Sequence, residues 1–111
     1  MNFRTLRVGN LIRDELGKLL IKEMELPGVV ATITEVVVDK SMDSAEVRVS
    51  VIPSEKSEAT VKVLRIAQGH LQYLLSKKLN IRPMPRIRFE LDRGPEKAAR
   101  VEKLLLEDNN K

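Results

Sequence analysis

The 111-residue chain contains no cysteine and no tryptophan, and it has one histidine, one tyrosine and two phenylalanines. The absence of cysteine excludes disulfides and thiolate metal sites, and it is typical of proteins in a reducing compartment. One histidine cannot form a histidine-rich metal site. Because aromatic residues make up only 3% of the chain, we expect a core of aliphatic side chains.

Signatures of catalysis and of nucleotide binding are missing as well. The sequence has no Gly-x-Ser-x-Gly elbow and no phosphate-binding glycine loop, and His70 has no cysteine to activate. We therefore expect neither an enzyme nor a bound cofactor. The N-terminal residues lack the apolar stretch of a signal peptide, and no apolar run is long enough to span a bilayer. These features predict a soluble, cytoplasmic protein.

Hydrophobic residues make up 42% and charged residues 32% of the chain, a balance typical of a globular domain. We expect residues 1–111 to form a single domain with a sizeable core and a frayed tail at 108–111. Twenty lysines and arginines against sixteen aspartates and glutamates give a net charge of +4. This modest excess favours a polyanionic partner only where the cations cluster.

Hydrophobic periodicity predicts a mixed order of helices and strands. We expect a helix at about 4–25, strands at 29–38 and 45–51, a helical stretch at 57–82, a strand at 86–91 and a last helix after Pro95. The short polar connection makes the first two strands an antiparallel hairpin, and the valine run at 36–38 indicates a central or doubly covered strand. Three strands in a chain of this length cannot carry helices on both faces. The predicted fold class is therefore α+β, a three-stranded sheet with helices on one face.

The helical stretch at 57–82 is the element around which the others are arranged. Two apolar lines at helical spacing flank Gly69, and a glycine inside a helix costs about 1 kcal/mol relative to alanine. We therefore predict that Ala67-Gln68-Gly69 forms a bend between two helices. The alternative is a tolerated glycine in one straight helix.

Cations cluster on the first predicted helix. Four of them fall on one narrow arc, roughly opposite the apolar residues: Arg4, Arg7, Lys18 and Lys22. This arrangement favours an anion-binding face, and a solvated cationic surface is the alternative.

The predicted bend also has cations and ring-bearing side chains beside it. Backbone amides released at a bend, together with neighbouring cations, would form a clamp for phosphates. Tyr73 or His70 would then stack on an unpaired base. The alternatives are a half-buried tyrosine ring at the helix–sheet edge and an exposed histidine without a role.

Several short motifs occur in a characteristic order between about Arg4 and Leu105. They are Arg4-x-x-Arg7-Val8, Ile33-Thr34-x-Val36, Ala45-x-Val47-x-Val49-Ser50-Val51, Ala67-x-Gly69-x-Leu71 and Arg82-x-x-Pro85-x-Ile87-x-Phe89-x-x-Asp92. The element order resembles the type II KH fold, and the Ala-x-Gly in place of the KH Gly-x-x-Gly resembles the ribosome-binding factor A family. Four positions depart from that family's pattern: Leu26 stands where aspartate is common, Gly28 and Gln72 each stand where arginine is common, and Arg86 stands where an acidic residue is common.

The resemblance implies a non-enzymatic, cytoplasmic assembly factor that acts late in maturation of the bacterial small (30S) ribosomal subunit. Such a factor binds the immature subunit and its ribosomal RNA near the decoding region, assists maturation of the RNA's 5′ end, and is associated with cold adaptation. Assembly GTPases act on the same particle, and we expect this chain to be a monomer without a membrane partner.

Seventeen residues are our candidates for RNA binding, from the cationic clusters and the resemblance together. They are Arg4, Arg7, Lys18, Lys22, Lys62, Arg65, Ala67, Gln68, Gly69, His70, Gln72, Tyr73, Lys77, Lys78, Arg82, Arg86 and Arg88. Two other functions remain open: a KH-like module for a different single-stranded RNA, and a protein-interaction domain with an incidental basic face. Phosphate-led binding weakens steeply with salt, so salt dependence separates the last of these from RNA binding.

Overall fold

The computed structural model describes residues 3–94 and 104–106 of the chain. Within them the elements follow the order α1 (Phe3–Glu23), β1 (Val30–Val38), β2 (Ser44–Ile52), a 3₁₀ turn (Ser54–Lys56), α2 (Ser57–Lys78) and β3 (Arg86–Leu91). This order confirms the α+β fold class. Residues 104–106 are helical, whereas the remainder of the predicted last helix and the predicted frayed tail at 108–111 lie outside the described residues.

β2 is the central strand of a mixed three-stranded sheet with the order β1-β2-β3. β1 runs antiparallel to β2, which confirms the hairpin, and β3 runs parallel to β2 with Ile87 opposite Ala45. The prediction of a central or doubly covered first strand is wrong, because β1 forms an edge of the sheet and Val37 is 41% exposed.

A β-bulge at Thr34 explains the exposure of Val37. Ile33 lies opposite Val49 and Glu35 lies opposite Arg48, so Thr34 is an additional residue in β1. One additional residue reverses which side chains point to the core. The more buried positions of β1 are odd-numbered before the bulge and even-numbered after it, which leaves Val37 on the outer face of the sheet.

Both helices pack on one face of the sheet, as predicted, and share one hydrophobic core with it. The fully buried side chains of this core are Ile12, Leu16, Val47, Val49, Leu64, Leu71, Leu75, Ile87 and Phe89. Burying a side chain of this size contributes roughly 1.5–3 kcal/mol. The core therefore fixes the relative positions of α1, α2 and the sheet.

Gly9 lets α1 cross β1 at close range. A Cβ atom on Gly9 would lie 2.8 Å from the backbone oxygen of Val36, so helix or strand would have to move to accommodate one. α1 ends at Glu23, and the chain turns toward β1 at Gly28, whose φ of 75° lies in the left-handed region that favours glycine.

α2 is one continuous helix from Ser57 to Lys78, so the predicted bend between two helices at Ala67-Gln68-Gly69 is wrong. The reason is the continuity of its apolar face: Leu64, Leu71 and Leu75 are all fully buried by one straight course of the chain. A Cβ atom on Gly69 would meet no described atom within 4 Å outside its own helical turns. Gly69 is therefore a tolerated glycine that the buried leucines hold in the helix.

Candidate nucleic-acid interface

The N-terminal half of α1 and the loop between α2 and β3 line a cleft of about 520 Å³. The Arg4 guanidinium donates a hydrogen bond to the backbone oxygen of Arg82 at 3.3 Å, which joins segments 78 residues apart. Arg7 lies one helical turn after Arg4 and lines the same cleft. Three predicted RNA-binding residues thus share one concave surface, which we call the arginine cleft (Arg4, Arg7 and Arg82).

The loop that carries Arg82 is anchored on both sides of it. Ile81 and Met84 pack against the core, and Pro85 is fully buried. Pro83 and Pro85 prevent the helix from continuing through the loop. The Arg82 side chain is therefore presented to solvent from a segment whose backbone is held in place.

The other two cations of the predicted arc lie further along α1. Fourteen residues separate Lys18 from Arg4, which corresponds to about 21 Å along a helix. Lys18 lies 3.6 Å from the Glu15 carboxylate, and its side chain is 75% exposed. Exposed ion pairs contribute only about 0–1 kcal/mol, so Lys18 can still exchange this contact for an anionic ligand. Lys18 and the exposed Lys22 extend the basic surface of α1 without entering the arginine cleft.

The outward face of α2 carries a second group of candidates. Tyr73 is 55% exposed, so its ring is open to solvent, and the Lys77 ammonium lies 4.6 Å from the ring centroid. His70 lies 3.9 Å from the Glu23 carboxylate of α1. Of the remaining candidates on this helix, Ala67 is half-buried, whereas the following are exposed: Lys62, Gly69 and Lys78.

Three other candidates on α2 form hydrogen bonds to the outer edge of β3. Arg65 Nε donates to the backbone oxygen of Phe89 at 3.1 Å, and its Nη2 donates to the Glu90 carboxylate at 3.1 Å. The Gln68 amide oxygen accepts a hydrogen bond from the Phe89 amide at 3.3 Å. Gln72 bonds to the Pro85 carbonyl and to the Ile87 amide, so side chains from three turns of α2 bond to backbone groups along this edge.

Gln72 makes two hydrogen bonds that require a donor and an acceptor on the same side chain. Its Nε2 donates to the backbone oxygen of Pro85 at 3.0 Å, and its Oε1 accepts from the Ile87 amide at 2.7 Å. Arginine has donors but no acceptor, so it could not pair with the Ile87 amide. The departure from the family pattern at this position therefore fits a structural role in this chain.

Arg86 and Arg88 lie on the outer face of the sheet, away from the helices and from the arginine cleft. Arg88 Nε is 3.3 Å from the Glu90 carboxylate. On the neighbouring strand, Arg48 pairs with Glu46 at 3.0 Å and with Glu35 at 2.9 Å. The hydrogen bond to Glu46 is the main cause that raises the pKa of the Arg48 guanidinium. This outer face is thus a network of alternating charges and not a uniformly basic edge.

Asp92 has a structural role that the sequence did not indicate. Its carboxylate accepts hydrogen bonds from the Thr34 hydroxyl at 2.6 Å and from the Gly94 amide at 2.9 Å. These bonds, the Thr34 bond most of all, lower the pKa of Asp92 below its ordinary value. Thr34 and Asp92 both belong to the motifs quoted above, and that shared membership was the only signal in the sequence for their contact.

The described residues were also compared with the requirements of a metal site and of a membrane-spanning helix. Among them, no group of three or more histidine, cysteine, aspartate or glutamate side chains is placed to hold a metal ion. No helix within the described ranges is long and apolar enough to cross a membrane.

The fold and its arginine-lined surface define a small α+β RNA-binding-type domain, in which two long helices pack on one face of a three-stranded mixed sheet. The family model for ribosome-binding factor A matches residues 4–105, and the chain belongs to this family. Ribosome-binding factor A of Chlorobium phaeobacteroides is 39% identical over 110 residues, which cover 96% of this chain and 95% of that protein. That of Opitutus terrae is 35% identical over 95% of this chain and 87% of its own length.

Solved structures agree with the fold. A solution structure from Thermotoga maritima, described as a ribosome-binding factor A, has a TM-score of 0.70 at 27% identity and covers 85% of this chain and 93% of that one. The crystal structure of ribosome-binding factor A from Thermus thermophilus has a TM-score of 0.69 at 22% identity, covering 81% and 98% respectively. A homology model of the Thermus thermophilus factor, fitted into a cryo-EM map of its complex with the 30S subunit, has a TM-score of 0.65 at 22% identity and covers 76% and 90%.

Proposed function

We propose that this chain binds the small ribosomal subunit and that the arginine cleft is its main contact with ribosomal RNA. The observation that carries the proposal is the convergence of Arg4, Arg7 and Arg82 on one cleft from two distant segments. Membership of the ribosome-binding factor A family supports the choice of partner, as does the 30S complex of the Thermus thermophilus relative.

Arginine suits this task because its planar guanidinium carries several N–H donors in a fixed fork that matches a phosphate. The hydrogen bond from Arg4 to the Arg82 backbone holds the two rims of the cleft together before RNA arrives. Such preorganisation lowers the entropic cost of binding. The lysines further along α1 then extend the contact along the RNA backbone.

The finer steps of the proposal follow from the family. We infer that the factor acts in the cytoplasm as a monomer on the precursor subunit, assists maturation of the 5′ end of its RNA, and leaves the mature particle. Assembly GTPases would act on the same particle. A test of the processing step is the ratio of precursor to mature 5′ ends in cells that carry only an Arg7→Glu/Arg82→Glu variant.

The binding site is tested by affinity for isolated small subunits across a salt series. The Arg7→Glu/Arg82→Glu variant is expected to bind at least tenfold more weakly and to show a shallower salt dependence, because each lost phosphate contact removes roughly 0.7–0.9 from the log–log slope. Lys40→Glu is the control for charge reversal outside the cleft, since it reverses one exposed cation in the β1–β2 turn. An equal loss of affinity in both variants would show that the arginine cleft is not the main contact with RNA.

A second candidate function is supported by the outward face of α2. The exposed Tyr73 ring, with Lys77 above it, is suited to stacking on an unpaired base, and such stacking contributes about 1–3 kcal/mol per base. Tyr73→Ala would then weaken binding to naked single-stranded RNA more than binding to whole subunits. The reverse ranking would argue against a general RNA-binding role.

A further inference from the structure

The free edge of β1 has unpaired backbone groups at one end. In an antiparallel pair, successive residues alternately point their backbone groups toward and away from the partner strand. The hydrogen bond from the Asp39 amide to the Ser44 oxygen, 2.9 Å long, fixes this alternation. Ala31 and Ile33, opposite odd-numbered residues of β2, therefore point their N–H and C=O groups away from the sheet.

α1 covers only part of this edge. At Gly9 the helix lies against the Val36 carbonyl and leaves no room for another chain. Toward its C-terminus α1 leaves a groove of about 640 Å³ beside residues 29–33. Across the described ranges, no hydrogen bond pairs the outward groups of Ala31 or Ile33. The open length of five residues corresponds to roughly 16 Å of extended strand.

The groove walls are mainly apolar and its rim carries cations. Ile21, which is 87% exposed, and Met24 supply apolar surface from α1. Arg13, Lys18 and one acidic residue, Asp14, line the groove, and Lys18 also lies 3.6 Å from the Glu15 carboxylate. A second copy of this chain would bring its own cations and its net charge of +4 to the same rim. An acidic partner is therefore favoured over self-association.

We propose that this groove binds an extended acidic peptide segment of a partner protein, which adds to the sheet as a fourth strand beside β1. Its backbone would pair with the outward groups of Ala31 and Ile33, in the manner of β-strand addition to an open edge. Alternate side chains of the peptide would enter the apolar groove beside Ile21, and acidic residues between them would face the rim. The proposal does not depend on the arginine cleft, which lies at the other end of α1, and Lys18 is the one residue that the groove shares with the proposed RNA-binding surface.

A suitable probe is a synthetic peptide of about eight residues in which valine and glutamate alternate, because main-chain pairing supplies much of the affinity in this mode of binding. In an NMR titration of the full chain, the backbone amides of Ala31 and Ile33 are expected to shift saturably and to gain protection from hydrogen exchange. A peptide of the same sequence with alternate backbone amides N-methylated is the matched control, and it should not bind.

Two variants test the two components of the site. Ala31→Pro removes an outward N–H group while sparing the β1–β2 ladder, as proline on an edge strand does. Ile21→Asp removes apolar surface from the groove and adds a repelling charge at a position too exposed to affect folding. Each is expected to weaken peptide binding at least tenfold. Ile66→Asp, at a 78% exposed position of α2, should leave it unchanged.

Several results would overturn the proposal. One is the absence of saturable shifts at residues 29–33, and another is equal binding of the N-methylated peptide. Concentration-dependent shifts at these amides without peptide would show that a second copy occupies the edge. Shifts there on addition of a single-stranded oligonucleotide, but not of the peptide, would assign the groove to nucleic acid.

Discussion

The two edges of the sheet are closed in different ways. At the β3 edge, three polar side chains of α2 bond to backbone groups of the strand, namely those of Arg65, Gln68 and Gln72. At the β1 edge, the backbone of α1 lies directly against the strand at Gly9 and then diverges from it. An unpaired edge is a template for another strand. Side chains of α2 block this use of the β3 edge, whereas the β1 edge stays open at residues 29–33.

The difference teaches how two similar amphipathic helices can serve different purposes on one sheet. On α2, the side chains of Arg65, Gln68 and Gln72 bond to the backbone beside its apolar face. These bonds make β3 a terminal strand. α1 presents glycine at its closest approach and cations elsewhere, so its surface remains available for ligands. Substitutions at the β1 edge, at the β3 edge and at two other positions test this difference.

Gly9→Ala should disturb the β1 edge most. The added Cβ would lie 2.8 Å from the Val36 backbone oxygen, and overpacking of this kind typically costs about 1–3 kcal/mol of unfolding free energy. Gly17→Ala is the control on the same helix, because no described atom lies within 4 Å of the added carbon outside its helical turns. Urea denaturation should show a loss for the first variant and a gain of about 0.5–1 kcal/mol for the second.

Gln72→Met should open the β3 edge. It leaves the Ile87 amide and the Pro85 carbonyl without their partners in a buried setting, and each buried unsatisfied group costs roughly 1–3 kcal/mol. In acid, where its protonated carboxyl can donate to the Pro85 carbonyl and accept from the Ile87 amide, Gln72→Glu should lose less. If the methionine variant unfolded at the same urea concentration as the parent protein, the proposed sealing of this edge by side chains would be wrong.

Gly69→Ala changes neither edge of the sheet. It measures the free-energy cost of having a glycine inside α2. Since α2 is continuous and the site is open, alanine should raise the free energy of unfolding by about 0.5–1 kcal/mol. Thermal or urea unfolding shows directly whether the free energy of unfolding rises or falls. A destabilised variant would instead indicate a bend at this residue in solution.

Asp92→Asn breaks the link between the bulge of β1 and the end of β3. The folded-state pKa of Asp92 is lowered, chiefly by the Thr34 hydroxyl, so its contribution to stability is fully present above the unfolded pKa and is lost as pH falls through the folded pKa. The Tm difference between the parent protein and the variant should therefore be largest near neutral pH and shrink in acid. A Tm difference independent of pH would contradict this assignment.

Local patterns predicted much of the fold. The alternation of Ala45, Val47, Val49 and Val51 located β2, and the helical spacing of leucines located α1 and α2. Local patterns could not predict two features that depend on long-range contacts. These are the parallel pairing of β3 and the bulge at Thr34, which reverses the inward positions of β1. The predicted bend at Gly69 is wrong because local helix propensity does not include the tertiary burial of leucines on both sides of it.

In the candidate site, too, local patterns predicted some features and long-range contacts determined the others. The cationic arc of α1 follows from helical periodicity alone, and the structure places its first two arginines in one cleft. That Arg82 joins them depends on a contact across 78 residues, which no local spacing encodes. Gln68, Gln72 and Arg65 are RNA-binding candidates because they lie in or beside the predicted bend, and only the position of β3 reveals their bonds to its edge.

The most direct test of the account is sedimentation of the purified protein with isolated small subunits, large subunits and intact ribosomes across a salt series. The account predicts selective migration with small subunits that is lost as salt rises, and loss of that migration at low salt in Arg7→Glu/Arg82→Glu but not in Lys40→Glu. Equal binding to every particle, or small-subunit binding that both variants retain, would contradict it.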